Sequence, residues 1–267
     1  MKKLMLAAFA VLFCAGNVLA EKVVIEGSTT VLPIAQKAAE QYMDANSKAD
    51  ITVRGGGSGV GINSLIAKTC DIANASRAIE AAEVKTANSK GVNPKAFIIA
   101  KDAIAVIVNN ANAVSALSKQ QVADIFTGKI TNWSQVGGKD GKIVVVSRDS
   151  ASGTFESFNA LALHKQKAVA DALMQASNQA VVTTVAKTPG AIGYAGIGYL
   201  SSSIKALTIE GITPTAETVL NGKYAYSRPL FMYTNGDPKG EAKKFIDFVL
   251  SKDGQKIVQE EGFVALK

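Results

Sequence analysis

Apolar residues recur along this chain in two alternating periods. Short runs rich in Val and Ile read as strands, and longer stretches with spacing of three and four read as helices. Lys22 to Ile25 predicts a short strand. Val31 to Asp44 predicts a helix with Pro33 tolerated in its first turn. Ile51-Thr52-Val53 and Ile72 to Asn74 predict further strands, with a helix from Val60 to Lys68 between them that carries Ile62, Leu65 and Ile66 on one face. Ala96 to Ala100 and Ala103 to Asn109 read as two apolar strands. The scheme then repeats: a helix from Lys119 to Thr127 capped by Ser118, a strand from Ile143 to Val146, and a helix from Phe155 to about His164. Ala191 to Tyr194 and Leu230 to Tyr233 add strands. Gly240 to Ser251 closes the series as an amphipathic helix, with Ala242, Phe245, Ile246, Phe248, Val249 and Leu250 facing one way. Strand, loop and helix in alternation predict an α/β fold with mixed or mostly parallel sheets.

The first twenty residues follow a different pattern. Lys2 and Lys3 precede an apolar run from Leu4 to Ala15, and small residues lead to Ala20. This is the pattern of a secretory signal peptide cleaved after Ala20. A lipoprotein signal would use Cys14, but bulky Phe13 stands where a small residue belongs. No later run offers about 18 uncharged apolar residues, so a soluble exported protein is expected.

Cleavage changes the charge and the cysteine count. The 267 residues hold 29 basic and 22 acidic side chains, for a formal charge of +7. Without Lys2 and Lys3 the balance is 27 to 22, or +5. Cys70 is then alone and reads as a small buried hydrophobe. With His164 the only histidine, enzymes built on histidine clusters and zinc sites are disfavoured. The lysines are dispersed and aromatics make up 6% of the chain, which gives no platform for nucleic acid.

Three loops share one position, after a strand and before a helix, and each is rich in Gly, Ser and Thr. They are Gly27 to Thr30, Gly55 to Gly59 and Arg148 to Thr154. Helix starts present unpaired N–H groups and the positive end of the helix dipole, so three of them suggest an oxyanion site. Ordinary helix capping explains any one of these loops taken singly. Sharper motifs fail: the Gly55 loop lacks the Lys-Ser/Thr of a P-loop, Ile62 stands where a dinucleotide fingerprint needs glycine, and Gly56-Gly57-Ser58-Gly59-Val60 misses a nucleophile elbow at its last position.

Gly27-Ser28-Thr29-Thr30, Gly55-Gly56-Gly57-Ser58-Gly59, Ala75-Ser76-Arg77 and Arg148 to Thr154, in that order and spacing, resemble the phosphate-specific solute-binding proteins of bacterial ABC transporters. Ile125 to Trp133 and Ser227-Arg228-Pro229-Leu230 support the likeness, which runs from Lys22 to Lys267. The resemblance implies a periplasmic binding protein-like fold of type II, with two α/β lobes, residues 21–102 plus 228–267 and residues 103–227. Two hinge strands would join them, and the ligand would lie in the cleft. It implies a ligand set of Thr29, Thr30, Ser58, Ser76, Arg77, Arg148, Ser152, Gly153 and Thr154 for inorganic phosphate. It further implies no catalysis, no cofactor or metal, a monomer in the periplasm, and delivery to membrane permease subunits. Some family members place an aspartate where Ser76 stands, to accept a phosphate proton; Asp102 or Asp149 would have to supply that acceptor here. From the residues alone, two other readings stay open: a receptor for sulfate, molybdate or tungstate, or a secreted hydrolase of phosphate esters.

Overall fold

The computed structural model describes residues 21–266. The signal-peptide reading of Met1 to Ala20, including Cys14, lies outside the described residues. The first half of the chain forms β1 (Lys22–Gly27), α1 (Leu32–Ala45), β2 (Asp50–Arg54), α2 (Ser58–Ile66), β3 (Ile72–Ala75), α3 (Ala81–Ser89) and β4 (Pro94–Asn109). Next come β5 (Ala116–Leu117), α4 (Lys119–Phe126), β6 (Val144–Arg148), α5 (Gly153–Leu161), β7 (Leu173–Gln175), α6 (Asn178–Lys187) and β8 (Ala191–Gly196). The chain closes with β9 (Ile204–Ala206), β10 (Thr208–Ile209), α7 (Ala216–Leu220), β11 (Ser227–Asn235), α8 (Gly240–Leu250) and α9 (Lys252–Glu260).

The main sheet runs β2-β1-β3-β11-β4-β8-β6-β7, with β9 also paired to β4. β1 is parallel to β2 and β3, and β6 is parallel to β7 and β8. The carboxyl ends of the parallel strands therefore carry the loops that enter α1, α2, α5 and α6. β4 and β11 run antiparallel through the middle, with Arg228 opposite Asp102.

β4 is one strand of 16 residues where the hydrophobic pattern predicts two. Lys101 and Asp102 interrupt the apolar run, but both stay in the ladder. Lys101 is exposed on one face, and Asp102 turns inward to meet Arg228. The continuous strand links two sets of apolar cores. One draws on residues 23–100 and 230–265, the other on residues 103–226 with Val264.

Helix positions follow the apolar stripes. α1 buries Ile34, Ala35, Ala38, Ala39 and Tyr42, a repeat of three and four along its face. α8 buries Phe245, Ile246 and Val249, whereas Leu250 is exposed at the helix end. Ser118 caps α4, accepting from Gln121 N at 3.1 Å. α5 ends at Leu161, short of the predicted His164, which sits exposed at positive φ. α3, α6 and α9 lie outside the predicted helices: α3 has weak apolar periodicity, α6 is a β-branched Val/Thr run that reads as strand as readily as helix, and α9 is mostly polar. Among the described residues no helix is long and apolar enough to cross a membrane.

Candidate functional site

The three Gly/Ser/Thr loops converge at the carboxyl ends of β1, β2 and β6. Capping does not account for the first two. The cap position of α1 is Val31 and that of α2 is Gly57, and neither helix start is capped by a side chain. The hydroxyls of Thr29, Thr30 and Ser58 are therefore not spent on their own helix starts. Gly57 has φ +103°, and a Cβ there would lie 2.5 Å from the Ala151 carbonyl oxygen, so only glycine lets these loops meet. Gly59 N donates to the same Ala151 oxygen at 3.0 Å.

Thr29, Thr30, Ser58, Ser76, Ser152 and Thr154 are all buried. Thr30 Oγ1 and Thr154 Oγ1 are 2.8 Å apart, across 124 residues of sequence. Ser58 Oγ accepts from Ser76 N at 3.0 Å and lies 3.3 Å from Ser76 Oγ. Gly153 packs against both serines. Ser152 does serve as a cap, accepting from Phe155 N at 3.2 Å. The capping explanation thus holds for the third loop only.

Arg148 ends β6 with 1% of its surface exposed. Its Nε donates to the Gln175 carbonyl at 2.9 Å and its Nη2 to the Ala176 carbonyl at 3.1 Å. Nη1 is buried and has no partner among the described residues. No carboxylate forms an ion pair with this guanidinium there either. Burial pushes its pKa down, partly opposed by the charge of Asp149. A buried cation held only by carbonyls is costly unless an anion joins it.

Arg77, expected with Arg148 in the ligand set, differs from it in its partners. Its guanidinium is bonded by both oxygens of Glu83 at 2.8 and 2.7 Å, donates to the Ala78 carbonyl, and pairs with Glu156 of α5. Two carboxylates thus balance its charge within the protein.

A fourth strand-to-helix loop, between β7 and α6, also enters the cluster. Asn178, the first residue of α6, is fully buried. Its Nδ2 donates to Thr29 Oγ1 at 3.1 Å and Thr30 Oγ1 at 3.0 Å, while its Oδ1 accepts from Gly196 N at 3.1 Å. Arg228 reaches in from β11, donating to Thr154 Oγ1 at 3.0 Å, Thr30 Oγ1 at 3.3 Å and the Gly153 carbonyl at 3.2 Å. Its charge is balanced by Asp102, whose Oδ2 accepts from Nε at 2.9 Å and Nη2 at 2.8 Å. Neither Asn178 nor the side chain of Arg228 was singled out from the sequence. The Ser177-Asn178 helix start, like the other three, was the available signal.

The two carboxylates considered as proton acceptors are both engaged. Asp149 Oδ1 accepts from Ala151 N at 3.0 Å, the turn role ordinary for aspartate. Asp102 takes the Arg228 bonds and the Ile197 N–H at 3.0 Å. Burial raises its pKa, and Arg228 pulls in the opposite direction. Among the described residues no group of three His, Cys, Asp or Glu could hold a metal ion.

The cluster is thus built of hydroxyls, amide N–H groups and one uncompensated guanidinium, at the starts of four helices. Chemically it can hold an anion of several oxygens stripped of water.

The sequence profile of the PBP superfamily domain matches residues 15–253. The phosphate-binding protein PstS of Bacillus subtilis is 37% identical over 245 residues, covering 90% of this chain and 79% of the relative. The phosphate-binding protein PstS of Borreliella burgdorferi is 34% identical over 284 residues and covers all of both chains. A Clostridium perfringens protein solved with bound phosphate, described as the substrate-binding protein of a phosphate ABC transporter, superposes with a TM-score of 0.86. It is 35% identical and covers 92% of this chain and 100% of its own.

Proposed function

This chain belongs to the PBP superfamily and within it to the PstS-type phosphate-binding proteins, and from that premise we propose that it captures inorganic phosphate and delivers it to the permease of an ABC importer. Such substrate-binding proteins work outside the cytoplasm. In this reading Met1 to Ala20 directs export and is cleaved after Ala20, and the mature monomer works in the periplasm.

The observation that carries the proposal is Arg148, a buried guanidinium with one nitrogen unpartnered and, among the described residues, no carboxylate within ion-pair distance. A phosphate dianion supplies the missing charge. Thr29, Thr30, Ser58, Ser76, Ser152, Gly153 and Thr154 supply amide and hydroxyl donors that replace its lost water. Four helix dipoles point their positive ends at the same place. Arg77 contributes through its loop and its pairing with Glu156 and not through its charge.

The two sets of apolar cores support a division into lobes, residues 21–102 plus 228–267 and residues 103–227, hinged where β4 and β11 pass between them. Thr30 and Ser58 belong to one lobe, Arg148 and Thr154 to the other. Phosphate touching both lobes stabilises the closed arrangement over the open one. The closed surface is then what the permease recognises, and no bond of the ligand is broken.

Equilibrium dialysis of ligand-stripped protein against labelled phosphate tests this reading. One equivalent should bind saturably and resist competition by excess sulfate. No saturable uptake, or equal displacement by sulfate, contradicts it.

A further inference from the structure

Thr30 and Thr154 meet at the site from opposite sides, and their hydroxyls share one set of fixed donors. A hydroxyl has one proton to give and two lone pairs to receive. The Asn178 amide is oriented by Gly196 N, which donates to its Oδ1 at 3.1 Å. Its Nδ2 therefore faces the threonines, and an amide nitrogen only donates. The Arg228 guanidinium also only donates, and its Asp102 partner fixes where it points. Both groups reach Thr30 Oγ1, at 3.0 and 3.3 Å, and Arg228 also reaches Thr154 Oγ1 at 3.0 Å. The hydroxyl protons cannot point toward these nitrogens. Thr30 Oγ1, with both lone pairs taken, gives its proton to Thr154 Oγ1 across the 2.8 Å contact, and the Thr154 proton is left to the space between the starts of α1 and α5.

We propose that Asn178 and Arg228 are positioning residues that fill the lone pairs of Thr30, so that Thr30 donates to Thr154 and the Thr154 hydroxyl proton turns toward an unprotonated oxygen of the bound anion. The inference rests on the phosphate-binding reading. It assigns to two residues outside the expected ligand set the task of fixing which hydroxyls donate. Because Arg228 is already neutralised by Asp102, it acts through the threonines and adds no net charge.

A thermodynamic cycle tests the proposal by phosphate titration. Asn178→Ala should weaken phosphate binding about tenfold in the otherwise unchanged chain, in keeping with the loss of an oriented hydrogen bond. In a Thr30→Val background the same change should cost less than about threefold, since the hydroxyl it orients is gone. A purely structural role predicts the same loss in both backgrounds, and that result overturns the proposal. Arg228→Lys, which keeps the charge opposite Asp102, is run against Thr154→Val as the second cycle. Coupling there supports the proposal, and additivity counts against it even where Asn178→Ala does not fold. If the unchanged chain binds no phosphate, the functional reading itself falls; if it binds and the costs simply add, only this inference does.

Discussion

Asp102 and Arg228 stand opposite each other on β4 and β11, and the Arg228 guanidinium gives Nε and Nη2 to one carboxylate oxygen at 2.9 and 2.8 Å. Both side chains are buried, and the pair lies beneath the starts of α1 and α5. Removing one partner leaves an unpaired buried charge. Asp102→Asn should therefore destabilise the fold by about 3–5 kcal/mol. Urea denaturation followed by circular dichroism measures this, and a loss below about 1 kcal/mol would show the pair to be dispensable.

Arg77 and Arg148 should separate cleanly in binding. Arg77 is already matched by Glu83 and Glu156, so Arg77→Gln removes no uncompensated charge from the site. Its effect on phosphate affinity should be about tenfold or less, through loosened contact between the loop and α5. Titration of the variant checks it; a loss as large as that of an Arg148 variant would return Arg77 to the ligand set.

Gly153 lies where two loops touch. A Cβ on it would sit 2.2 Å from Ser58 Oγ and 2.8 Å from Ser58 Cβ. Gly153→Ala should push the starts of α2 and α5 apart and cost about 1–3 kcal/mol of binding, the usual penalty for overpacking. Thermal melting distinguishes a local wedge from global damage. Retained affinity would mean that the serine moves aside freely.

Tyrosines set a limit at high pH. Burial pushes Tyr194 up to about 12 from an ordinary 10.0, and raises Tyr199, Tyr224 and Tyr226 further. These groups must be neutral in the folded state, while the unfolded chain ionises near pH 10. The stability they contribute is full below pH 10 and declines as pH rises toward 12. Tyrosinate absorbance and circular dichroism should therefore change together in an alkaline titration. Ionisation of these four tyrosines near pH 10 with the fold intact would contradict the burial argument.

The sequence made the loops readable because their signal is local. Gly-Ser-Thr runs between a strand and a helix mark Thr29, Thr30, Ser58 and Ser152 without any knowledge of the fold. Asn178 escaped because β7 is three residues long with Leu173 and Met174 exposed, so the strand that would flag its loop has no buried pattern. Arg228 escaped because its partners, Asp102 and Thr154, are 126 and 74 residues away. The pairing of Arg77 was illegible for the same reason: Arg77 follows β3, but Glu156 comes from α5. Polar Lys101 and Asp102 split β4 in the hydrophobic pattern, because an inward carboxylate is legible only once its arginine is known.

Arg148, buried and with Nη1 unpartnered among the described residues, is the residue expected to hold inorganic phosphate. Calorimetric titration of ligand-stripped protein with phosphate, beside the Arg148→Ala variant, tests it most directly. One site is expected in the unchanged chain, with a loss of roughly 2–5 kcal/mol in the variant. Equal phosphate affinity in the two proteins would contradict it.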